Sequence, residues 1–339
     1  MNIEDIIKKS RMGEVLSHKE LVYLLGLPPG SRETYRVMAE AAHLSKRLTD
    51  GKAEVHAQFA INFAPCPCDC LFCSFARVNG IFNEATELSA EQAIAYVRQF
   101  ETDGASAVFM MATANFAFER LIEISNEVRK AIRPETTLFA NVGDQSSRNA
   151  VRLKDAGFSG VYHVVRLREG EDTALPVEKR IQSIRNFQEA GLDIGTCVEP
   201  VGPEHTNEEL AEMIELTASF NPCFSGAARR IPIPGTSMSG RGIINEMRLA
   251  QIVAVTRLGM PESVIGNCTH EPCTLGAIGG ANLFWAEVGA NPRDIEEKTE
   301  EGRGGTVSSL KSIFKESNWD VWSGPTRYSQ HNAGQQLEI

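Results

Sequence analysis

The chain has 339 residues, and its 42% hydrophobic and 23% charged content is ordinary for a globular chain with a sizeable core. Its formal net charge of −10 speaks against nucleic-acid or anionic-membrane partners, which want a basic face. No stretch approaches the roughly 18 apolar residues that span a bilayer. The N-terminus lacks the apolar core of a signal peptide, so a cytoplasmic location is expected.

The first fifty residues read as helical. Ser17 and Glu20 have capping-box spacing ahead of Leu21, Val22, Leu24 and Leu25. Pro28, Pro29 and Gly30 then break the chain. A second helix is predicted over 32–48, with Tyr35, Met38, Ala42 and Leu44 on one face. From residue 54 short β-like runs alternate with amphipathic helical segments. Strands are predicted at 55–63, 107–111, 137–141, 161–167, 192–198, 227–233, 263–268 and 281–285. Ser89 with Gln92 and Thr206 with Glu209 mark helix starts. Gly104, Gly157 and Gly191 suit left-handed helix C-caps.

Eight strand–helix alternations point to a parallel sheet. A closed (β/α)8 TIM-type barrel is the favoured reading and an open doubly wound sheet the alternative. The expected layout is an N-terminal helical extension over 1–50, a barrel over 51–320 and a C-terminal extension over 321–339. The last ten or so residues are polar and expected to be disordered. A barrel places its active site at the C-terminal ends of the strands.

Eight cysteines lie at positions 66, 68, 70, 73, 197, 223, 268 and 273. Half of them fall in one loop after the first predicted strand, which favours metal or redox chemistry over a disulfide scaffold. Cys66, Cys70 and Cys73 have C-x3-C-x2-C spacing. Three thiolates so spaced can wrap one face of an iron–sulfur cubane and leave the fourth iron open. Zinc is the alternative, with Cys68 as fourth ligand, but Cys68 is crowded between Cys66 and Cys70. Phe72 and Phe75 would cover the cluster. Cys223, after Asn221-Pro222, reads as structural.

This motif, with an aromatic before its last cysteine and after the first barrel strand, resembles the radical S-adenosylmethionine superfamily. The resemblance implies a [4Fe–4S] cluster on Cys66, Cys70 and Cys73. It also implies S-adenosyl-L-methionine as cofactor, cleaved to a 5′-deoxyadenosyl radical. Over about 55–315 the chain is most similar to the biotin synthase branch, which includes the hydrogenase maturase HydE and methylornithine synthase. The likeness rests on Glu178-Lys179-Arg180 through Ala190-Gly191, on Ile233-Pro234-Gly235-Thr236, and on Gly280-Ala281-Asn282. By resemblance Arg180 binds the cofactor's carboxylate, Glu169 or Glu171 its amine, and the turn with Gly202 and Glu204 lies beside its adenine. Arg166 or Arg168, with His163 and Asn141, are candidates to meet a substrate. His163 equally suits a satisfied core histidine.

The branch's second, [2Fe–2S] cluster is not expected, because Met110, Asn141, Gly195 and Gly266 stand at its ligand positions. Cys197, Cys268, His270 and Cys273 could instead carry an auxiliary iron–sulfur cluster, or be small buried residues. The first expectation is therefore sulfur insertion at unactivated C–H bonds, as in biotin or lipoyl synthases. The alternatives are a mutase or cofactor-maturation reaction without a sulfur donor, and a non-enzymatic iron–sulfur carrier or scaffold. A ferredoxin or flavodoxin donor and a small-molecule or carrier-bound acyl substrate are the implied partners.

Overall fold

The computed structural model describes residues 1–63, 65–271 and 273–329. Eight parallel strands form its centre: β1 (Lys52–Ala60), β2 (Val108–Met111), β3 (Leu138–Asn141), β4 (Gly160–Tyr162), β5 (Asp193–Gly195, resuming as Val198–Val201), β6 (Phe224–Arg229), β7 (Gly266–Thr269) and β8 (Leu283–Val288). Each pairs with the next, and β8 returns to β1 with Val55 opposite Phe284, so the barrel is closed. Every expected strand exists, with edges displaced by a few residues. The predicted run 161–167 is strand only to Tyr162 and then leaves the sheet as loop.

The expected capping interactions form. Ser89 Oγ accepts from the Gln92 N–H at 3.3 Å, and Thr206 Oγ1 from the Glu209 N–H at 3.1 Å. Gly104, Gly157 and Gly191 all have positive φ, the left-handed conformation that lets a helix stop and turn towards its strand.

The three N-terminal helices are α1 (Ile3–Arg11), α2 (His18–Leu25) and α3 (Arg32–Thr49). The second and third cover α9 (Glu246–Gly259), a barrel helix buried from Leu249 to Gly259, and α1 packs on α3. A helix with apolar residues on every side needs a second layer outside it, and α2 and α3 supply that layer. The buried face of α3 carries Val37, Met38, Ala41 and Leu44; Tyr35, expected on that face, is 56% exposed. The residue pattern around Tyr35 fits two adjacent stripes, and packing against α9 selects the other one.

The C-terminal residues close the lower, N-terminal end of the barrel. Asp320 and Val321 pair with Lys52 and Ala53 of β1. Beyond them Thr326, Tyr328 and Ser329 are buried. Glu54 accepts from Thr326 Oγ1 at 2.6 Å and from the Arg327 N–H at 2.8 Å, and Tyr328 donates to the Asn282 carbonyl at 2.9 Å. Residues 321–329 are therefore a plug and not a free extension. The expected disorder of the last ten residues lies outside the described residues. Among the described residues no helix is long and apolar enough to cross a membrane.

Above the plug the barrel interior is filled with rings. His56 stacks on Phe109 at 5.6 Å and Phe109 on Phe139 at 4.8 Å, while Phe224 meets Trp285 at 5.4 Å. Gly195 is where Phe224 fits: an added Cβ would lie 2.0 Å from that ring. Gly226 has φ +143, and a side chain there would strike the Cys268 backbone.

Candidate active site

The loop after β1 is tied down by its backbone. The Cys66 N–H donates to the Phe75 carbonyl at 2.8 Å, and the Leu71 N–H to the Asp172 carbonyl at 2.9 Å. Asn79 Nδ2 donates to the carbonyls of Cys70 (3.2 Å) and Cys73 (2.8 Å). Ser74 is anchored to Asn291 and Pro292 after β8. With the main chain so occupied, the thiols are the groups left for ligation. Phe63, Phe75 and Phe82 pack together behind the loop at 5.0–5.9 Å, forming a dry backing.

The cysteines differ electrostatically. A hydrogen bond from Cys68 is the main influence that pulls Cys66 down to about 6, against the opposing effect of burial. The same hydrogen bond, then burial, raises Cys68. Burial pushes Cys70 up to about 11 and raises Cys73. Cys66 is thus the thiolate-ready member, and Cys68 is the proton-bearing neighbour that stabilises it.

Among the described residues the one group with three potential ligand atoms within 4.8 Å of one another is Asp172, Glu204 and His205. The cysteine thiols are spread more widely than a single tetrahedral ion needs, as suits a cubane whose corners are separate irons. The donor set and the dry backing fit a [4Fe–4S] cluster on Cys66, Cys70 and Cys73. The Asp172 group is not an ion site of this kind. The Gly202 N–H donates to His205 Nδ1 at 2.8 Å, so Nε2 keeps the proton, and Arg230 and Arg241 already face the two carboxylates.

Cys70, Phe72 and Cys73 form one wall of a cavity over the barrel mouth. Its floor and sides are strand-end residues: Gln58, Met111, Asn141, Tyr162, Glu199, Ala228 and His270. Pro200, Ile231 and Ile233 make an apolar side, and Arg166 and Arg293 a charged one. Glu169 lies 3.9 Å from the Arg166 guanidinium, and within the described residues no hydrogen bond ties that guanidinium down. Burial opposes its charge, but Glu169, Cys70 and Glu199 raise its pKa, so it stays cationic. Arg293 reaches His270 Nδ1 at 2.8 Å and Glu287 at 3.1 Å. Burial would raise the Glu287 carboxyl, but Arg293, Arg303 and His270 hold it well below the usual range.

The residues named from sequence fall into three sets. Arg166, Asn141 and His270 line the cavity. Arg180 and Glu169 lie behind it, buried, with Arg180 3.0 Å from Asp144 and 3.6 Å from Glu169. Glu169 accepts from the Arg166 N–H at 3.0 Å and from Thr173 Oγ1 at 2.7 Å, so this carboxylate is committed within the protein. Glu204 is likewise committed, paired with Arg230 and drawn down to about 2 by that arginine against burial. Gly202 makes room for this pair, since a Cβ there would meet Arg230 and Glu204.

The third set lies elsewhere. Glu171 is exposed on the loop surface, because Arg168 and Gly170 have positive φ and turn the chain outward. Arg168 pairs with Glu209 at 2.7 Å and does not reach the cavity. His163 faces α7 (Val177–Glu189), edge-on to Phe187 and 3.0 Å from Asp144. Burial and Arg180 depress it to about 4, so it is the neutral core histidine of the two readings.

The proposed auxiliary set is divided. Cys197 and Cys268 are buried with their sulfurs 3.8 Å apart. His270 stacks on Trp285 at 4.9 Å in the layer above, and Cys273 begins the short helix α10 (Thr274–Ile278) within the outer core. Rings of Phe109, Phe139, Phe224 and Trp285 occupy the space around the thiol pair. These residues do not fit an auxiliary cluster. Met110 points into the helix layer, since Phe109 and Met111 take the interior. Tyr162, Glu199 and Arg293 were not singled out from sequence. Alternation along β4 and β5 could have found the first two, but Arg293 arrives on a loop after β8 and leaves no local signal.

No protein-family model matches the chain. The biotin synthase of Anaplasma marginale (strain Florida) is 24% identical over 261 residues, covering 73% of this chain and 80% of that protein. Biotin synthase 1 of Corynebacterium diphtheriae is 24% identical over 293 residues, covering 82% of each. Among solved structures, methylornithine synthase superposes with TM-score 0.80 at 14% identity over 97% of this chain and 99% of its own. The FeFe-hydrogenase maturase HydG from Carboxydothermus hydrogenoformans gives 0.78 at 18% identity, over 98% and 81%. The closed barrel, the cysteine loop at its mouth and the 24% identity to biotin synthases over 73–82% of the chain liken it to the biotin synthase-like branch of the radical S-adenosylmethionine superfamily.

Proposed function

We propose that the chain is a single-cluster radical S-adenosylmethionine enzyme acting on a small, amino-acid-like substrate, in a carbon-skeleton or cofactor-maturation reaction. The observation that carries this is the cavity beside Cys70 and Cys73, with Arg166, Glu199 and Arg293 around it and packed rings beneath. Cys66, Cys70 and Cys73 would hold the cluster. When bound, the cluster supplies the electron that splits S-adenosylmethionine into methionine and a 5′-deoxyadenosyl radical. A ferredoxin or flavodoxin suits the delivery of that electron.

The chain's own groups divide the remaining work. Arg166, cationic and close to Cys70, is placed to bind a carboxylate bidentately. Pro200, Ile231 and Ile233 offer an apolar wall for a planar ring. Arg180 and Glu169, which resemblance would put on the cofactor, support the Arg166 segment from behind. His270 accepts from Arg293 at Nδ1 and therefore carries its proton on Nε2; burial and Arg293 keep it neutral. Glu199 is the cavity carboxylate available to an ammonium group. Phe72 covers the cluster side and keeps water out.

Sulfur insertion is the second reading, favoured by the Cys197–Cys268 pair and by the likeness to biotin synthases. It requires a donor cluster for which two thiols are brought together instead of four ligands. Iron and sulfide counting after anaerobic reconstitution separates the readings. About four irons per chain is the expected result, and about eight would overturn the single-cluster proposal. Formation of 5′-deoxyadenosine from the reduced protein tests the radical reading itself, and its absence under every reductant would favour a carrier or scaffold.

A further inference from the structure

Cys197 and Cys268 have no part in the chemistry described so far, yet they lie directly under it. Cys197 is two residues before Glu199, and Cys268 two before His270; both later residues line the cavity. Both thiols belong to the inner ring cluster while Glu199 and His270 face the cavity, so the thiols form the layer immediately below the floor. Tyr162 lines the same floor, stacks over Phe224 at 6.2 Å and packs against the ring cluster that holds both thiols.

The surroundings of this group suit homolytic chemistry and little else. Cys197 and Cys268 are at most 1% exposed and sit among Phe109, Phe139, Phe224 and Trp285. Such a site is closed to bulk solvent. Burial, reinforced by the neighbouring Cys268, keeps Cys197 protonated, and burial with Glu199 and both cysteines does the same for Tyr162. The two thiols sit within the ring cluster, away from the cavity wall where Cys70 and Cys73 stand. Their S–H bonds, like a phenol O–H, are weaker than the C–H bond of an alkane, so a carbon radical above them can take a hydrogen atom downhill.

We propose that Tyr162 and the Cys197–Cys268 pair form a hydrogen-atom donor relay that quenches carbon radicals generated in the cavity. This rests on the radical reading of the site. A carbon radical takes the hydrogen atom of the Tyr162 O–H, forming a C–H bond and leaving a phenoxyl radical. The phenoxyl radical takes a hydrogen atom from a cysteine S–H, restoring tyrosine and leaving a thiyl radical. The thiyl radical returns to thiol on gaining one electron, from the low-potential one-electron donor that serves the cluster, and one proton. The second thiol, 3.8 Å away, can exchange its hydrogen atom with the thiyl and share the radical.

The test needs no knowledge of the substrate. Reconstituted holoenzyme, equilibrated in deuterium oxide, is given S-adenosylmethionine and excess dithionite, and the 5′-deoxyadenosine is examined by mass spectrometry. The relay predicts that most of it carries one solvent deuterium at the 5′ carbon. Tyr162→Phe should lower the deuterated fraction at least fivefold. The double variant Cys197→Ala, Cys268→Ala should lower it similarly over many turnovers, and freeze-quenched samples should show a tyrosyl radical in electron paramagnetic resonance that Tyr162→Phe lacks. Iron content and circular dichroism check that each variant is folded and loaded. Undeuterated 5′-deoxyadenosine from the unaltered protein, or a fraction unmoved in both variants, would overturn the relay. No 5′-deoxyadenosine at all would overturn the proposed function, and the relay with it.

Discussion

Cys66, Cys70 and Cys73 sit on a loop above the strands, whereas Cys197 and Cys268 sit within the barrel below the cavity floor. The first set has its backbone bound to neighbours, its thiols at a cavity wall, and one member lowered to about 6. The second set is enclosed by rings, with Cys197 held protonated by burial. Position and not acidity separates the sets: burial raises Cys70 and Cys73 too, but these stand at the cavity wall, whereas Cys197 and Cys268 are enclosed by rings. On the two proposals above, the same side chain would serve two chemistries according to the surfaces around it.

Removing a loop thiol should have the largest effect. Cys70→Ala is expected to abolish both the visible absorbance of the reconstituted cluster and 5′-deoxyadenosine formation. Retention of either would show that the two sets do not differ as described. The packing around the inner pair is tested next by Gly195→Ala, whose methyl would meet Phe224. A loss of about 3 kcal/mol is expected, measured by urea or thermal unfolding; a neutral result would mean that the interior has spare room, which a second cluster would need.

A pH titration sharpens the contrast between buried and exposed sides of the mouth. His163 is held at about 4 in the folded chain, against about 6.5 when unfolded. As pH falls the unfolded state takes up the proton first, so stability is full above pH 6.5 and is lost towards pH 4. The loss amounts to about 3 kcal/mol at most, and the slope should flatten in His163→Gln, as read from urea midpoints across that range. The smallest effect is expected at the lower end. Tyr328→Phe removes one hydrogen bond to the Asn282 carbonyl and should cost about 1 kcal/mol. A larger drop in Tm would mean that the plug holds the barrel closed as well as covering it.

What the sequence by itself determined was local. Alternation of strand and helix, capping pairs such as Ser89 with Gln92, and helix-ending glycines act over a few residues, and they specify the repeated strand–helix units of a parallel sheet. The C-x3-C-x2-C spacing is local too, because one short loop carries all three ligands. Tertiary structure decided the rest. Cys197 and Cys268 meet across 71 positions, while Cys273, five residues from Cys268, points into another layer. Arg180 and His163 are joined through Asp144, 36 and 19 positions away, which buries an arginine that stands in the charged run Glu178-Lys179-Arg180. Glu171 and Glu169 differ by two residues, yet a turn at Arg168 leaves one in water and buries the other. Side-chain spacing along the chain fixes which groups share a strand face or a loop, but closure of the barrel fixes which faces meet.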